Sequence, residues 1–185
     1  IAIPQNEKWG RHYEGYSENV DIVSNMGEAS IIGYQTNELG SVNHSIVACA
    51  KHFIGDGATI WGTGMGNKPD KIDRGNVQIS DSLIRIKYLP PYQKAIDAGV
   101  GTIMASFNSI NDLKCHANGY LFNDLLKGEM GFDGFVISDW QGIDEIPGDY
   151  KSDIVKSINA GLDMIMVPGN VKGGGQHYKT FIKLF

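Results

Sequence analysis

Four short apolar segments, rich in β-branched residues, alternate along the chain with longer stretches of mixed apolar and polar residues. They cover residues 45–53, 101–107, 134–140 and 162–167. A continuous apolar run of this length is typical of a strand that is buried on both faces, as in a parallel sheet. The pattern therefore predicts four buried parallel strands.

The mixed stretches predict helices, because their ends carry capping residues or a break. The predicted helices are 17–27 with a Ser17 cap and a Gly27 end, 80–98 with a Ser80 cap and an interruption at Pro90-Pro91, 120–127 with an Asn118 cap and a Gly128 end, and 151–160 with a Gly161 end. Helices that separate buried strands indicate a βα series.

The last three predicted strands begin at intervals of 33 and 28 residues, close to the length of one unit of a (β/α)₈ barrel. A glycine-rich loop at 55–75 lengthens the first interval, and long loops after strands belong to the functional rim. The predicted fold class is α/β, the C-terminal half of a TIM-type barrel. Because four units cannot close such a barrel, and because the chain starts at Ile1 and stops inside an amphipathic run, we expect it to be part of a larger protein.

Composition excludes several classes of protein. The 185 residues are 42% hydrophobic and 20% charged, which is typical of a folded domain. A net charge of −5 argues against a nucleic-acid partner, and no apolar run is long enough to span a membrane. Cys49 and Cys115 lie 66 residues apart without histidines at metal-ligand spacing, so no metal site is expected.

Polar residues cluster where three of the predicted strands end. Such ends meet at one crevice in parallel α/β folds. Asp139 has two interpretations there: it caps the following helical segment, or it is a reactive carboxylate at the barrel mouth. A nearby Lys51 would keep that carboxylate ionised, which suits a nucleophile better than a general acid. The three clusters are Lys51-His52, Ser106-Phe107-Asn108 and Ser138-Asp139-Trp140.

Lys51 and His52 are neighbours at a strand end. Neighbours on a regular strand point to opposite faces, so both can reach one ligand only if the backbone is distorted. We therefore predict a distortion at residues 51–53. A single histidine at such a place, His116 included, is more often structural than catalytic.

Aromatic and glycine-rich positions suggest ligands less specifically. Trp140 and Trp61 could offer flat faces to a sugar ring, although Trp61 could equally pack in a core or lid. The glycine runs at 62–66 and 173–175 lack the Lys-Ser/Thr that follows a phosphate-binding P-loop.

Five segments together resemble glycoside hydrolase family 3, a group of retaining, exo-acting β-glucosidases and β-glucan exohydrolases. Their order and spacing agree over nearly the whole chain, and a Ser-Asp-Trp block after a Gly-Phe-x-Gly-Phe strand is highly specific. The segments are WGR with YEGYSE at 9–18, AKHFIGDG at 50–57, IMASFN at 103–108, GFDGFVISDW at 131–140 and AGLDM at 160–164.

The resemblance implies a role for six residues. Asp139 would be the catalytic nucleophile and would form a covalent glycosyl-enzyme intermediate. Three side chains would hydrogen-bond the hydroxyls of the non-reducing-end glucosyl unit, and two would line its pocket. These binding residues are Arg11, Lys51 and His52 for the hydroxyls, and Met104 and Trp140 for the pocket.

The resemblance also implies β-linked glucosides or gluco-oligosaccharides as substrates, no cofactor, and a secreted or periplasmic location as for related polymer-degrading enzymes. Relatives that cleave N-acetylglucosamine carry an Asp-x-His pair after Lys-His-Phe, and residues 57–75 contain no histidine, which favours a glucosidase. Phe107 stands where many relatives have tyrosine. The segment 62–73, with Lys68, Pro69, Asp70 and Lys71, matches no relative closely enough to transfer a role.

The acid/base carboxyl group of the family usually comes from a second domain, so the chain alone is expected to be inactive. Surface or capping roles are expected for its other candidate acids, which are Glu7, Glu14, Glu129, Asp144 and Glu145. Two alternatives remain: a phosphosugar enzyme that holds phosphate at 169–175, and a noncatalytic sugar-binding piece.

Overall fold

The main sheet consists of three parallel strands, which lie side by side in the order Cys49–Phe53, Thr102–Ala105 and Phe135–Ile137. The computed structural model describes residues 1–36, 39–40, 43–65, 71–169 and 175–184. In chain order the strands are β1 Cys49–Phe53, β2 Asn76–Val77, β3 Thr102–Ala105, β4 Ser109–Ile110, β5 Leu113–Lys114 and β6 Phe135–Ile137. Strands β2, β4 and β5 form a second small sheet, in which β4 and β5 are an antiparallel hairpin.

The fourth predicted strand is reduced to a single parallel bridge between Ile137 and Met164. The carboxylate of Asp163, rather than a backbone carbonyl, accepts the N–H of Val136 at 2.8 Å. A side chain in that position interrupts the regular ladder of backbone hydrogen bonds. The predicted parallel βα order is confirmed, and the prediction of a full strand at 162–167 is wrong.

Helices cover the sequence between the strands, as predicted. Ser80 caps the second region through a bond from the N–H of Leu83 to its Oγ. The α-helices are α1 Val20–Gln35, α2 Asp81–Leu83, α3 Pro90–Asp97, α4 Tyr150–Asn159 and α5 Gly175–Leu184; the π-helices are Ile84–Tyr88 and Tyr120–Glu129; the 3₁₀-helices are His12–Glu14, Cys115–Ala117 and Gly142–Glu145. Pro90 begins α3, where a missing N–H costs nothing.

The boundaries predicted for the first helix are wrong at both ends. Asn19 is the cap, because its Oδ1 accepts the N–H groups of Asp21 and Ile22 at 2.9 and 3.1 Å. The helix continues through Gly27, where an added Cβ would lie 2.7 Å from Cγ2 of Ile1. Gly27 therefore permits close packing inside the helix instead of ending it.

A buried aromatic cluster holds the end of β1 against the helices. The ring of Phe53 packs edge-on against Tyr92 at 4.8 Å and lies 5.9 Å from Phe122. Phe53 and Phe122 are fully buried, and each such side chain contributes about 1.5–3 kcal/mol when removed from water. The cluster fixes the backbone next to Lys51 and His52.

In the described part of the chain, no helix combines the length and the apolar character needed to cross a bilayer.

Candidate active site

The three strands of the main sheet end side by side at one edge. Lys51 on β1 is the register partner of Met104 on β3, and Met104 is the partner of Ile137 on β6. Asp139 follows Ile137 by two residues, so the end of β6 delivers its carboxylate to the same edge as Lys51 and His52. The structure thus brings the predicted strand-end groups together.

The backbone at the end of β1 is distorted, which confirms the predicted irregularity at 51–53. The register with β3 shifts between Lys51 and Phe53, and the Lys51–His52 and Phe53–Ile54 peptide bonds are cis. His52 is only 4% exposed, whereas Lys51 is exposed. The two neighbouring side chains therefore lie in very different surroundings.

The imidazole of His52 is the centre of a charged cluster. Its Nε2 lies 3.1 Å from Nη2 of Arg11 and 3.3 Å from Oδ2 of Asp139. Its Nδ1 lies 2.5 Å from Oδ2 of Asp56, whose other oxygen accepts a hydrogen bond from Ser106 Oγ. Both His52 and Asp56 are buried, so the pair is held in an orientation fixed by packing.

The carboxylate of Asp139 has two oxygens in different settings. Oδ1 accepts the N–H of Trp140 at 2.6 Å. Oδ2 is buried beside His52 and accepts no hydrogen bond from the described residues. The following 3₁₀-helix begins after Gln141 and receives no side-chain cap. The structure therefore does not use Asp139 as a helix cap, the alternative left open by the sequence.

Arg11 carries a permanent positive charge beside His52. Its Nε and Nη2 donate to the two carboxylate oxygens of Glu14 at 2.7 and 2.9 Å. The hydrogen bond from Arg11 lowers the pKa of Glu14 below its usual value. Glu14 is therefore held ionised, which does not suit a proton donor and agrees with leaving it out of the acid role.

Lys51 does not form the expected close pair with Asp139. Within the described ranges, His52 is the only basic side chain that lies within 4.0 Å of the Asp139 carboxylate oxygens. The Lys51 side chain is exposed at the strand end, and its backbone oxygen accepts the amino group of Ile1 at 2.6 Å. His52 takes the place next to the carboxylate that the sequence interpretation gave to Lys51, and Arg11 contacts the same ring nitrogen of His52.

The remaining predicted pocket residues line the same edge with more exposure. Trp140 is 50% exposed and Met104 is half-buried on β3.

Phe107 packs under the guanidinium of Arg74 at 5.6 Å. Trp61 is exposed, with the ammonium of Lys8 5.2 Å from its ring centre, so it does not pack in the core.

An ion-pair network of Lys114, Glu145 and Arg74 lies next to Phe107. Lys114 is 5% exposed. Its Nζ donates to the backbone carbonyl oxygen of Phe107 and to Oε2 of Glu145, both at 2.9 Å. Nη1 of Arg74 donates to the other oxygen of Glu145 at 2.5 Å. The network joins β5 to the segment that follows Asp139.

Across the described ranges, no three His, Cys, Asp or Glu side chains are grouped so that they could hold a metal ion. The proposed phosphate loop at 169–175 lies largely outside the described residues, as do the 173–174 glycines and Lys68, Pro69 and Asp70 of the glycine-rich loop.

Comparison with known families gives a match over almost the whole chain. The family described as "Glycosyl hydrolase family 3 N terminal domain" matches residues 1–183. The chain belongs to glycosyl hydrolase family 3. The resemblance predicted from the five sequence segments is therefore confirmed.

Curated family 3 relatives include a "Beta-xylosidase" of Formosa agariphila, 34% identical over 88% of this chain and 22% of the relative. "Beta-glucosidase 2" of Saccharomycopsis fibuligera is also 34% identical, over 93% of this chain and 18% of the relative. A "Periplasmic beta-glucosidase" of Salmonella typhimurium is 28% identical over 94% and 23% of the two chains. The chain thus spans about a fifth of the length of these relatives.

Solved structures of family 3 proteins have the same fold. A mutant of the exo-1,3/1,4-beta-glucanase ExoP from a Pseudoalteromonas species superposes with a TM-score of 0.82 at 36% identity, covering 99% of this chain and 28% of that one. A beta-glucosidase from Listeria innocua in complex with glucose gives 0.81 at 29% identity, covering 99% and 25%. The predicted α/β fold, part of a TIM-type barrel, is confirmed.

Sequence reasoning on this family 3 chain gave no role to two residues that contact His52 or the backbone of Asp139. Asp56 contacts His52, and Nε2 of His116 accepts the N–H of Asp139 at 3.0 Å. Asp56 stood within the quoted 50–57 segment, where a carboxylate between two glycines was an available signal. His116 lies 23 residues from Asp139, and only the fold brings the two together.

Proposed function

We propose that the complete protein carrying this chain is a retaining, exo-acting β-glucosidase or β-glucan exohydrolase. It would remove glucose from non-reducing ends by double displacement, with Asp139 as the nucleophile. The observation that supports this proposal most directly is the position of the Asp139 carboxylate. It lies at the end of β6, with its Oδ2 3.3 Å from Nε2 of the buried His52. Family membership supports the same reaction class.

In the first step the Asp139 carboxylate attacks the anomeric carbon, forming an ester bond while the glycosidic C–O bond breaks. The leaving oxygen takes a proton from a general acid. In the second step water, deprotonated by the same group, attacks the anomeric carbon and releases Asp139. The permanent positive charge of Arg11 lies on the same side of the His52 ring as the Asp139 carboxylate, since Nη2 of Arg11 and Oδ2 of Asp139 both contact Nε2.

The general acid is proposed to lie outside this chain. A retaining enzyme needs a second carboxyl group about 5 Å from the nucleophile. Asp56 contacts Nδ1 of His52, the ring nitrogen opposite the one that faces Asp139, and accepts a hydrogen bond from Ser106. Glu14 is paired with Arg11. We therefore expect the chain to act with a further domain and further barrel strands of the same protein.

The sugar would be held by donors and flat surfaces at the strand ends. Lys51 is exposed and forms no ion pair within the described residues, so its ammonium is available for a hydroxyl. Arg11 and His52 offer further polar contacts, which distinguish epimers better than apolar walls do. The half-exposed indole of Trp140 offers a stacking face, and Met104 an apolar wall.

The substrate class is proposed as β-linked glucosides or gluco-oligosaccharides. One related structure, 29% identical, holds glucose, whereas a curated relative that is 34% identical is named a β-xylosidase. A comparison of kcat/KM for aryl β-glucoside and aryl β-xyloside decides between them, with the glucoside expected to be better by at least about tenfold, or 1.4 kcal/mol. Export to the periplasm or the exterior is the expected location.

Trapping of the covalent intermediate tests the nucleophile. The complete protein is incubated with an activated 2-deoxy-2-fluoro-β-glucoside, and its peptides are analysed by mass spectrometry. The label is expected on the peptide containing Asp139. An exposed aspartate, Asp133, provides a matched control variant, and Asp133→Asn is expected to label normally. A label on another residue, or none, contradicts the proposal and favours a different enzyme or a noncatalytic sugar-binding protein.

A further inference from the structure

His116 contacts the backbone of the proposed nucleophile. It lies in the 3₁₀-helix Cys115–Ala117, directly after strand β5, and is fully buried. Its Nε2 accepts the N–H of Asp139 at 3.0 Å. This hydrogen bond joins the segment that follows the β4–β5 hairpin to Asp139, which lies two residues beyond β6.

The acceptor role requires a neutral imidazole. An Nε2 that accepts a hydrogen bond carries no proton, so the proton of the ring is on Nδ1. Burial, with a smaller effect from the charge of Lys114, lowers the pKa of His116 to about 3. The imidazole therefore remains an acceptor at any pH at which the enzyme is expected to work.

The turn after Asp139 is packed directly on the same ring. A Cβ added to Gly142 would lie 2.2 Å from Nε2 and 2.5 Å from Cε1 of His116. The backbone N–H of Gly142 donates to the backbone carbonyl oxygen of Asp139 at 3.0 Å. The imidazole therefore fills the space beneath the turn, and the turn has no room to shift toward it.

We propose that His116 is a positioning residue that orients the backbone of Asp139 so that the carboxylate lies next to His52 and Arg11. This inference rests on the proposed function of Asp139. Loss of the acceptor frees the peptide group between Ser138 and Asp139 to rotate, which swings the side chain. A misplacement of about 1 Å can cost about 10²-fold in rate.

Two substitutions in the complete protein separate positioning from packing. His116→Leu keeps similar volume without an acceptor, and His116→Gln keeps an amide oxygen that can accept the N–H of Asp139. We expect the Leu variant to lose about 10²-fold in kcat with KM changed less than about threefold. The Gln variant is expected to recover at least tenfold of that loss. His44→Leu, at an exposed histidine, is the matched control and should behave as the wild type.

The rate of 2-fluoroglucoside labelling at Asp139 is measured for the same variants, together with thermal unfolding. Equal kcat losses in the Leu and Gln variants, or a labelling rate in the Leu variant equal to the wild type, overturn the positioning role. Absence of label on Asp139 in the wild type instead overturns the proposed function, and the inference with it.

Gly142→Ala supplies a second route if the Leu variant does not fold. It leaves the His116 side chain chemically unchanged but pushes the imidazole away from the turn. The same loss of kcat at nearly constant KM is expected, and an unchanged kcat overturns the inference.

Discussion

Nδ1 of His52 lies 2.5 Å from Oδ2 of Asp56, on the side of the ring opposite Asp139. Both partners are buried, and a carboxylate oxygen can only accept a hydrogen bond, so this contact favours the tautomer of His52 that carries its proton on Nδ1. With the proton on Nδ1, Nε2 can accept a hydrogen bond from Nη2 of Arg11. The pair thus sets what His52 presents to the site.

Asp56→Asn is expected to reduce kcat/KM about 10²-fold, the cost of a misplaced catalytic contact. An amide can donate to Nδ1, which favours a proton on Nε2, and that proton would face the Arg11 guanidinium. Steady-state kinetics of the complete protein measure the effect, with Asp133→Asn as the control. Activity within threefold of wild type would show that Asp56 does not orient His52.

Asp139→Asn removes the proposed nucleophile with little change in volume. We expect turnover to fall by at least about 10³-fold, equivalent to about 4 kcal/mol of barrier. Hydrolysis of an aryl glucoside measures the loss, and binding of glucose shows whether the site remains intact. Near-normal turnover would rule out covalent catalysis by this residue.

Gly142→Ala is expected to destabilise the protein by about 1–3 kcal/mol, because the added methyl group overlaps the His116 ring. In a His116→Ala background the same substitution meets a smaller side chain and should cost less. Urea unfolding of the four proteins in this double-mutant cycle measures the coupling. Additive effects would mean that the turn relaxes away from the imidazole.

His116 makes the domain sensitive to acid. Its folded-state pKa of about 3 lies below the value of about 6.5 expected in the unfolded chain. Between these pH values the unfolded state binds a proton that the folded state does not. The contribution of His116 to the free energy of unfolding is therefore complete above about pH 6.5 and is lost as the pH falls toward 3.

The wild type should therefore lose stability relative to His116→Gln by up to about 1.4 kcal/mol per pH unit within this range. Urea unfolding of both proteins at pH 7, 6 and 5 provides the comparison. Parallel pH dependence in the two proteins would contradict a buried neutral imidazole at this position.

Local sequence patterns were sufficient to predict the order of elements and the edge at which the site lies. The apolar runs located β1, β3 and β6, and the adjacency of Lys51 and His52 predicted the irregular end of β1. These features depend on residues close together in the sequence, whose effects can be read from periodicity and chain geometry.

Features that depend on distant partners could not be predicted in the same way. Gly27 resembles a helix end until Ile1 is known to pack against it. His116 resembles an ordinary structural histidine, because its partner Asp139 lies beyond a helix and a strand. The sequence interpretation chose Lys51 as the charge beside Asp139, since strand spacing alone does not reveal which side chain turns inward at a distorted end.

The Lys114–Glu145 ion pair limits how this protein can be altered. Lys114 is almost completely buried, and Glu145 is partly buried. Replacing Glu145 would leave the buried Lys114 without its ion-pair partner, at a cost of about 3–5 kcal/mol, whereas replacing Lys114 would leave Glu145 paired with Arg74. Evolutionary or engineered change at Glu145 is therefore expected to come with a change at Lys114, and a library that randomises Glu145 alone would return mostly the parent residue.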